Sequence, residues 1–337
     1  MDTGKAQRGA RFPRGNGLRP STVALALLAG LLPACAPHTP IGIREFALAE
    51  AGGDRWPGGI TRGPDGALWF TELHGHGIGR ITQRGTITEF KIPDAGAKPG
   101  SITIGPDGAM WFTIPNDHAI GRITTNGAIS LFRVGTSSND RPGGIVAGPD
   151  GALWFTEPVA GAIGRISTRG AVAIFRVDEP HATPQNIAAG SDRALWFTDR
   201  GRGAIGRISI SGAIREYSLP AVHANDVYGI TSGPDGALWF TQPLSRRIGR
   251  ITPSGQIATY QIAVGSPGAI TGGPAGDVWF TAIEPSVVAH VSTSGAMQEY
   301  QLGGLDKPGG ITLGPDHAVW FTVYSDDKIG RAGPTRS

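Results

Sequence analysis

Glu72, His74 and His76 lie within five residues of one another and form the densest acid–base group in the sequence. A carboxylate beside an imidazole can act as a general base or help to hold a divalent metal ion. Glu157 and Asp199 occur in the same setting as Glu72, each directly after a Trp-Phe-Thr triplet, and Gln242 follows another such triplet. His118 and Tyr228 add a ring nitrogen and a phenol. Trp56 is an indole in a loop with no need of an apolar group, which marks it for ligand contact. A plainer role competes with each of these, because solvated loops carry hydrophilic residues in any case. The fold decides by bringing the residues together or keeping them apart.

The elements that position them can be read from one repeated stretch, residues 63–72, Gly-Pro-Asp-Gly-Ala-Leu-Trp-Phe-Thr-Glu. Close copies place tryptophans at 69, 111, 154, 196, 239, 279 and 320, at intervals of 42, 43, 42, 43, 40 and 41 residues. Each repeat holds four short apolar segments. In the first they are Gly59-Ile60-Thr61, residues 67–71, Ile78-Gly79-Arg80-Ile81 and Ile87-Thr88-Glu89-Phe90. All are rich in β-branched or aromatic residues and bounded by turn chemistry, with Gly63-Pro64-Asp65-Gly66 the strongest turn. A period near 42 with four strands per unit is that of a propeller blade. The chain is therefore all-β, a seven-bladed β-propeller of four-stranded antiparallel blades.

The seventh repeat stops at Arg331 without a fourth strand, while Ile43-Arg44-Glu45-Phe46 matches the fourth-strand pattern before the first repeat begins. The N-terminal strand is thus expected to complete the last blade and close the ring, which protects edges that an open array would expose. Strand alternation places the Pro-Gly segment ahead of each first strand and the residue after Trp-Phe-Thr on one rim, the top face. Scaffold positions repeat in every blade, whereas a binding site needs different groups on different blades. The varying residues on that rim are therefore the candidates: Glu72, His74, His76, Glu157 and Tyr228 for catalysis, with Trp56, His118, Asp199 and Gln242 for ligand binding. The arginine of the recurrent Ile-Gly-Arg-Ile segment is read instead as pairing with neighbouring backbone or carboxylates, and the tryptophans as wedges between blades.

The formal charge of +3 is misleading, because Lys5, Arg8, Arg11, Arg14 and Arg19 precede Cys35 against a single Asp2. The rest of the chain carries 25 basic and 26 acidic residues, so no nucleic-acid partner is indicated. The basic segment leads into the apolar run Val23–Leu32 and then Leu32-Pro33-Ala34-Cys35, a pattern of export signal and lipobox. Residues 1–35 are read as the signal peptide, with Cys35 lipidated, 36–40 as a linker, 41–333 as the propeller and 334–337 as a tail. Simple cleavage near Ala34 or Ala36 is the alternative. The expected location is the bacterial cell envelope, or the periplasm or exterior without the lipid. The expected form is a monomer that meets the membrane only through a lipid anchor.

The repeats Pro-Gly-Gly-Ile-Thr (57–61), Gly-Pro-Asp-Gly-Ala-Leu-Trp-Phe-Thr-Glu, Ile-Gly-Arg-Ile-Thr (78–82) and Gly-x-Ile-x-Glu-Phe (85–90) resemble those of the virginiamycin B lyase (streptogramin B lyase) family, over all seven repeats from Ile41 to Arg331. The resemblance implies a seven-bladed propeller that opens the lactone of cyclic depsipeptide antibiotics by elimination. In that chemistry a base removes an α-proton, Mg2+ stabilises the developing charge, and the C–O bond breaks. It also implies a base histidine after the proline of a Pro-His-x-Ile-Thr motif and a second histidine from the neighbouring blade, yet the residues at that position here are Gly58, Gly100, Gly143, Gln185, Tyr228, Gly268 and Gly309. The sixth-repeat counterparts of the family's histidine and glutamate are Gly268 and Ala282. Two readings remain: a lyase with a displaced base, or a non-catalytic, envelope-tethered propeller that binds a peptide, glycan or small ligand on its top face.

Overall fold

The computed structural model describes residues 41–48, 54–219, 224–303 and 306–334; the leader, Cys35 and the last three residues lie outside them. The propeller falls within the second of two compact units, Pro40–Ser337. Its blades are seven separate four-stranded antiparallel sheets. In the first, β2 (Pro57–Arg62), β3 (Leu68–Glu72), β4 (Gly77–Ile81) and β5 (Ile87–Lys91) pair in sequence order from the inside outwards. The seventh is ordered β1-β28-β27-β26, with β1 (Ile41–Ala47) outermost beside β28 (Lys328–Pro334), itself followed inwards by β27 (Val319–Val323) and β26 (Pro308–Leu313). Ile41 pairs with Pro334 and Ala47 with Lys328, so the N-terminal strand closes the ring as its pattern required. The last strand runs to Pro334, one residue beyond the expected end of the propeller.

Alternation along each second strand explains the core. In β3, Trp69 packs into the hydrophobic cluster of the following blade with Ile102, Met110 and Phe112. Leu68 and Phe70 point the other way, towards Trp320 and Ile329 of the preceding blade. Trp69 and its counterparts in blades 2–5 and 7 are fully buried, and Trp69 stacks on Phe90 of its own outer strand at 5.4 Å. Removing such a ring from a core costs about 3–5 kcal/mol. The glycine of Ile-Gly-Arg is required by the Phe that faces it, because a Cβ on Gly79 would lie 2.0 Å from Phe70 Cζ.

Two polar devices repeat around the ring. Asp65 of the Gly-Pro-Asp-Gly turn accepts from Trp69 Nε1 at 3.1 Å and from Arg80 Nε at 2.7 Å. Burial opposes ionisation of this carboxyl, but the bonds from Arg80 and Trp69 outweigh it and hold its pKa below the ordinary value. The same aspartate–arginine clasp recurs at Asp107–Arg122, Asp150–Arg165, Asp192–Arg207, Asp235–Arg250 and Asp316–Arg331. The arginine ring is therefore scaffold. Blade 6 has Ala275 in place of the turn aspartate and His290 in place of the arginine; Asp277 takes over, accepting from Trp279 Nε1 at 2.9 Å and lying 2.9 Å from His290 Nδ1.

The second device joins neighbouring blades. Thr71 Oγ1 accepts from Gly59 N at 2.9 Å on its own inner strand and donates to Gly100 O at 2.7 Å on the next. Equivalent threonines donate to Gln185 O, Tyr228 O, Gly268 O, Gly309 O and, across the closure, Gly58 O. These bonds satisfy main-chain groups of inner strands that have no further strand to pair with.

Candidate functional site

Pairing of Pro57 with Glu72 places the segment before each inner strand and the end of each second strand on one rim, as alternation required. A central cavity of about 830 Å³ is walled there by the inner strands of all seven blades. Its walls are largely main chain, because nine of its lining residues are glycines. Without side chains the inner strands leave the cavity open to their main chain, whose polar groups are in large part already bonded to the second-strand threonines. Aromatic groups come from Trp56, Tyr228 and Tyr324, and polar ones from Gln185, Asn186, Ser101 and Ser266. No Asp, Glu, His, Lys or Arg is among the lining residues.

Two of the residues singled out from sequence, Trp56 and Tyr228, lie at this cavity. Trp56 has φ of +49°, an unusual conformation for an indole-bearing residue. It is held by Asp327 of blade 7, whose carboxylate accepts from Trp56 N at 2.8 Å and from Arg55 N at 3.1 Å. Its ring meets His74 edge-on at 4.5 Å and Tyr324 at 5.9 Å. Tyr228 is 40% exposed, and the exposure is towards the cavity. Burial pushes its pKa up, the charge of Arg200 opposes the rise, and Tyr324 adds to it. Both tyrosines are held above the ordinary value, so they face the cavity as neutral hydroxyls at neutral pH.

The other candidates lie behind that wall, in the seams between blades. Glu72 is 1% exposed and its Oε2 lies 3.5 Å from Arg55 Nη1, while Arg55 also binds Glu89 of β5. Burial and the charge of Glu89, against Arg55, push the Glu72 pKa to about 7. Glu157 is equally buried, with Oε1 unpartnered among the described residues, and burial with the charge of Asp140, against Arg176, raises it to about 7. Asp199 accepts from Thr183 N at 2.8 Å and Arg202 N at 3.3 Å. Beside it Glu216 is raised to about 7 by burial and the nearness of the Asp199 carboxyl, against Arg202. Gln242 is fully buried, with neither side-chain polar atom partnered among the described residues.

The histidines are placed singly. His74 Nδ1 lies 2.8 Å from Asp54 Oδ2. His76 and His118 hold equivalent turn positions, at φ of +52° and +53°, and each uses Nδ1 to reach a carbonyl of the next blade, Ala97 O at 2.8 Å and Asp140 O at 2.9 Å. Asp327 stands at the same position in blade 7 and makes the corresponding reach to blade 1. These two histidines are thus inter-blade ties, and Glu72, His74 and His76 share no hydrogen bond.

Gly268 and Ala282, where the resemblance places the base and its acidic partner, both line the cavity. Neither carries a group that titrates. Mg2+ demands oxygen ligands, normally one or two of them carboxylates, and those positions offer none. No group of three or more His, Cys, Asp or Glu among the described residues is arranged to hold a metal ion. The residues present do not fit the family's metal. Asn186 was not among the residues singled out from sequence, although its signal was there: the corresponding residue in the other repeats is Gly, Ser or Ala.

The family model for virginiamycin B lyases matches residues 40–227 and 223–336. A streptogramin B lyase structure is 35% identical, with a TM-score of 0.82 over 88% of this chain and 98% of that one. Virginiamycin B lyase from Staphylococcus aureus is 36% identical, with a TM-score of 0.81 over 87% and 99%. A catalytically inactive histidine-to-alanine variant of the Staphylococcus aureus enzyme, solved with quinupristin, is 37% identical with the same TM-score and coverage. No curated protein matches the chain. By the family model and by these likenesses over its full propeller, the chain belongs to the virginiamycin B lyase family.

Proposed function

We propose that this propeller binds a compact, peptide-like molecule in its central cavity without carrying out elimination at the blade 6 position. The observation that carries the reading is the cavity wall: glycine main chain and aromatic rings, with no charged or imidazole group. A small, uncharged wall suits a compact peptide or depsipeptide, and Trp56, Tyr228 and Tyr324 suit its apolar side chains. Glycine and alanine at positions 268 and 282 can neither take up a proton nor ligate a metal. The protein is further read as an exported monomer, tethered to the envelope through lipid on Cys35, with no nucleic-acid partner.

A second reading, a lactone-opening lyase with a displaced base, has one observation in its favour. His74 is oriented by Asp54 and packs against Trp56, which lines the cavity. One experiment separates the two. Quinupristin, the compound with which the related inactive variant was solved, is titrated against the protein by calorimetry, and the mixture with Mg2+ is then analysed by mass spectrometry. Saturable binding that is lost in the Trp56→Ala, Tyr228→Ala double variant, with no linear product, is the expected result. A linear product would overturn the non-catalytic reading, and its loss in His74→Ala would establish the second. Absence of binding would remove this class of ligand.

A further inference from the structure

One position on the rim carries an uncharged, non-polar residue in every blade but one. Two residues beyond each Trp-Phe-Thr triplet, six blades carry an apolar or aromatic residue. In five of them that residue, Leu73, Pro115, Pro243, Ile283 or Tyr324, lines the cavity. Blade 4 carries Arg200 there. The polar side chains of the inner wall gather at the same side. The position after the inner-strand proline is glycine in five blades but Gln185 in blade 4, and its counterpart in blade 5 is Tyr228. Asn186 follows Gln185 and donates from Nδ2 to Tyr228 O at 3.0 Å, tying the two blades together there.

Among the described residues Arg200 is a cation without a counter-ion. Of the carboxylates of its blade, Glu216 and Glu179 pair with Arg202 at 2.9 and 3.2 Å, Asp192 pairs with Arg207, and Asp199 accepts from main-chain N–H groups. The backbone of Arg200 is pinned, its N–H donating to Thr183 O at 3.0 Å and its carbonyl accepting from Asn225 N at 2.6 Å. Its guanidinium makes no ion pair or hydrogen bond among the described residues, and it is exposed. It stands near enough to Tyr228 for its charge to act on that phenol. A guanidinium unpaired among the described residues, at a position that is apolar or aromatic in the other six blades and on the side of the cavity that carries Tyr228 and Gln185, is the donor type that binds a carboxylate.

We propose that Arg200, with the Tyr228 hydroxyl and the Gln185 amide, receives a carboxylate of the bound molecule at the blade 4–blade 5 side of the cavity mouth. The inference rests on the cavity being the ligand site and narrows what it takes: a compact, largely apolar, peptide-like acid. A closed depsipeptide lactone has no carboxylate at its ester. Opening that ester does create one. In elimination the α-proton leaves, its electron pair forms the C=C bond, and the C–O bond breaks to release the carboxylate; in hydrolysis water supplies hydroxyl to the acyl carbon and a proton to the alkoxide. A lactone-opening reaction is therefore the class of step that supplies this ligand, and the protein stands after it.

The test compares quinupristin with its ring-opened acid, prepared by alkaline hydrolysis, by calorimetry on the exported chain. A charge-assisted bond to a guanidinium corresponds to about tenfold in Kd or more. The acid is expected to bind at least about tenfold tighter than the lactone, with the ratio falling to near one in Arg200→Gln and partly recovering in Arg200→Lys. Equal affinities, or a preference unmoved by Arg200→Gln, would overturn the inference while leaving the cavity as a ligand site. If neither compound binds, the proposed ligand class fails, and a smaller pair decides the carboxylate site alone. N-acetylphenylalanine and its amide are titrated at millimolar concentration by NMR. A preference for the acid that Arg200→Gln abolishes supports the site, and no preference overturns it.

Discussion

Replacing Glu157 by glutamine should stabilise the protein, and only above about pH 5. The carboxyl is buried between blades with one oxygen unpartnered, and burial with the charge of Asp140 lifts its pKa from 4.5 to about 7, against the pull of Arg176. Below pH 4.5 it is protonated whether the chain is folded or not, so it contributes no pH dependence. Between 4.5 and 7 the folded state keeps a proton that the unfolded state has lost, and stability falls by about 1.4 kcal/mol per pH unit. Above 7 the loss is complete, with a ceiling of about 3 kcal/mol. Glutamine has nothing to lose, and the fold already holds Gln242 at the equivalent place in blade 5, fully buried. Urea unfolding of both proteins should therefore give equal stabilities at pH 4.5 and a gain for Glu157→Gln of up to about 3 kcal/mol at pH 8. Curves that run parallel from pH 5 to pH 8 would refute the argument. So would a variant less stable than the parent at pH 8.

Two further substitutions probe the scaffold and the cavity. Thr241 Oγ1 accepts from Gly229 N at 2.9 Å and donates to Gly268 O at 2.8 Å in the next blade. Thr241→Val keeps the shape and removes both bonds, and should cost about 1–3 kcal/mol in urea unfolding, with Thr241→Ser recovering most of it. A Cβ at Gly268 would meet only Thr281 Oγ1 at 3.2 Å and Thr281 O at 3.6 Å within 4 Å, so a side chain can be built there with a small shift of the threonine hydroxyl. The double variant Gly268→His, Ala282→Glu should release linear product from quinupristin when Mg2+ is added, detectable by mass spectrometry where the parent gives none.

The fold was legible because it is written seven times. Each copy of the Asp-Gly turn, the Trp-Phe-Thr strand and the Ile-Gly-Arg strand meets the same neighbours, so local chemistry and tertiary contacts agree. The orphan strand at Ile43–Phe46 was identifiable for the same reason, since its pattern lacked a partner anywhere but in blade 7. The site was less legible. Glu72, Glu157 and Asp199 vary from blade to blade as binding groups do, yet strand alternation turns them into the seams, away from the cavity. Sequence places a residue on a rim without saying whether it faces the axis or the next blade. His76 and His118 looked like acid–base groups, but the left-handed turn position they occupy throws the ring onto the following blade. The glycines that follow the inner-strand proline in five blades told more than the histidines did, because their absence of side chain is what opens the cavity.

The first strand of the propeller pairs with the last, some way round the chain from it. Closing a loop of about 290 residues costs a free chain about 5 kcal/mol in lost freedom, a sum no single strand pairing could repay. The chain does not meet that cost by that pairing alone. Tryptophan contacts and threonine ties between neighbouring blades curve the array round, so that these other contacts hold β1 and β28 side by side in the ring. A protease cut or a stop codon that removed Lys328–Pro334 would therefore do more than shorten blade 7. It would strand β1 as well, reopen the ring at two edges, and leave the ion pair between Lys328 and Glu45 with neither partner in position. Damage at one terminus is felt at both.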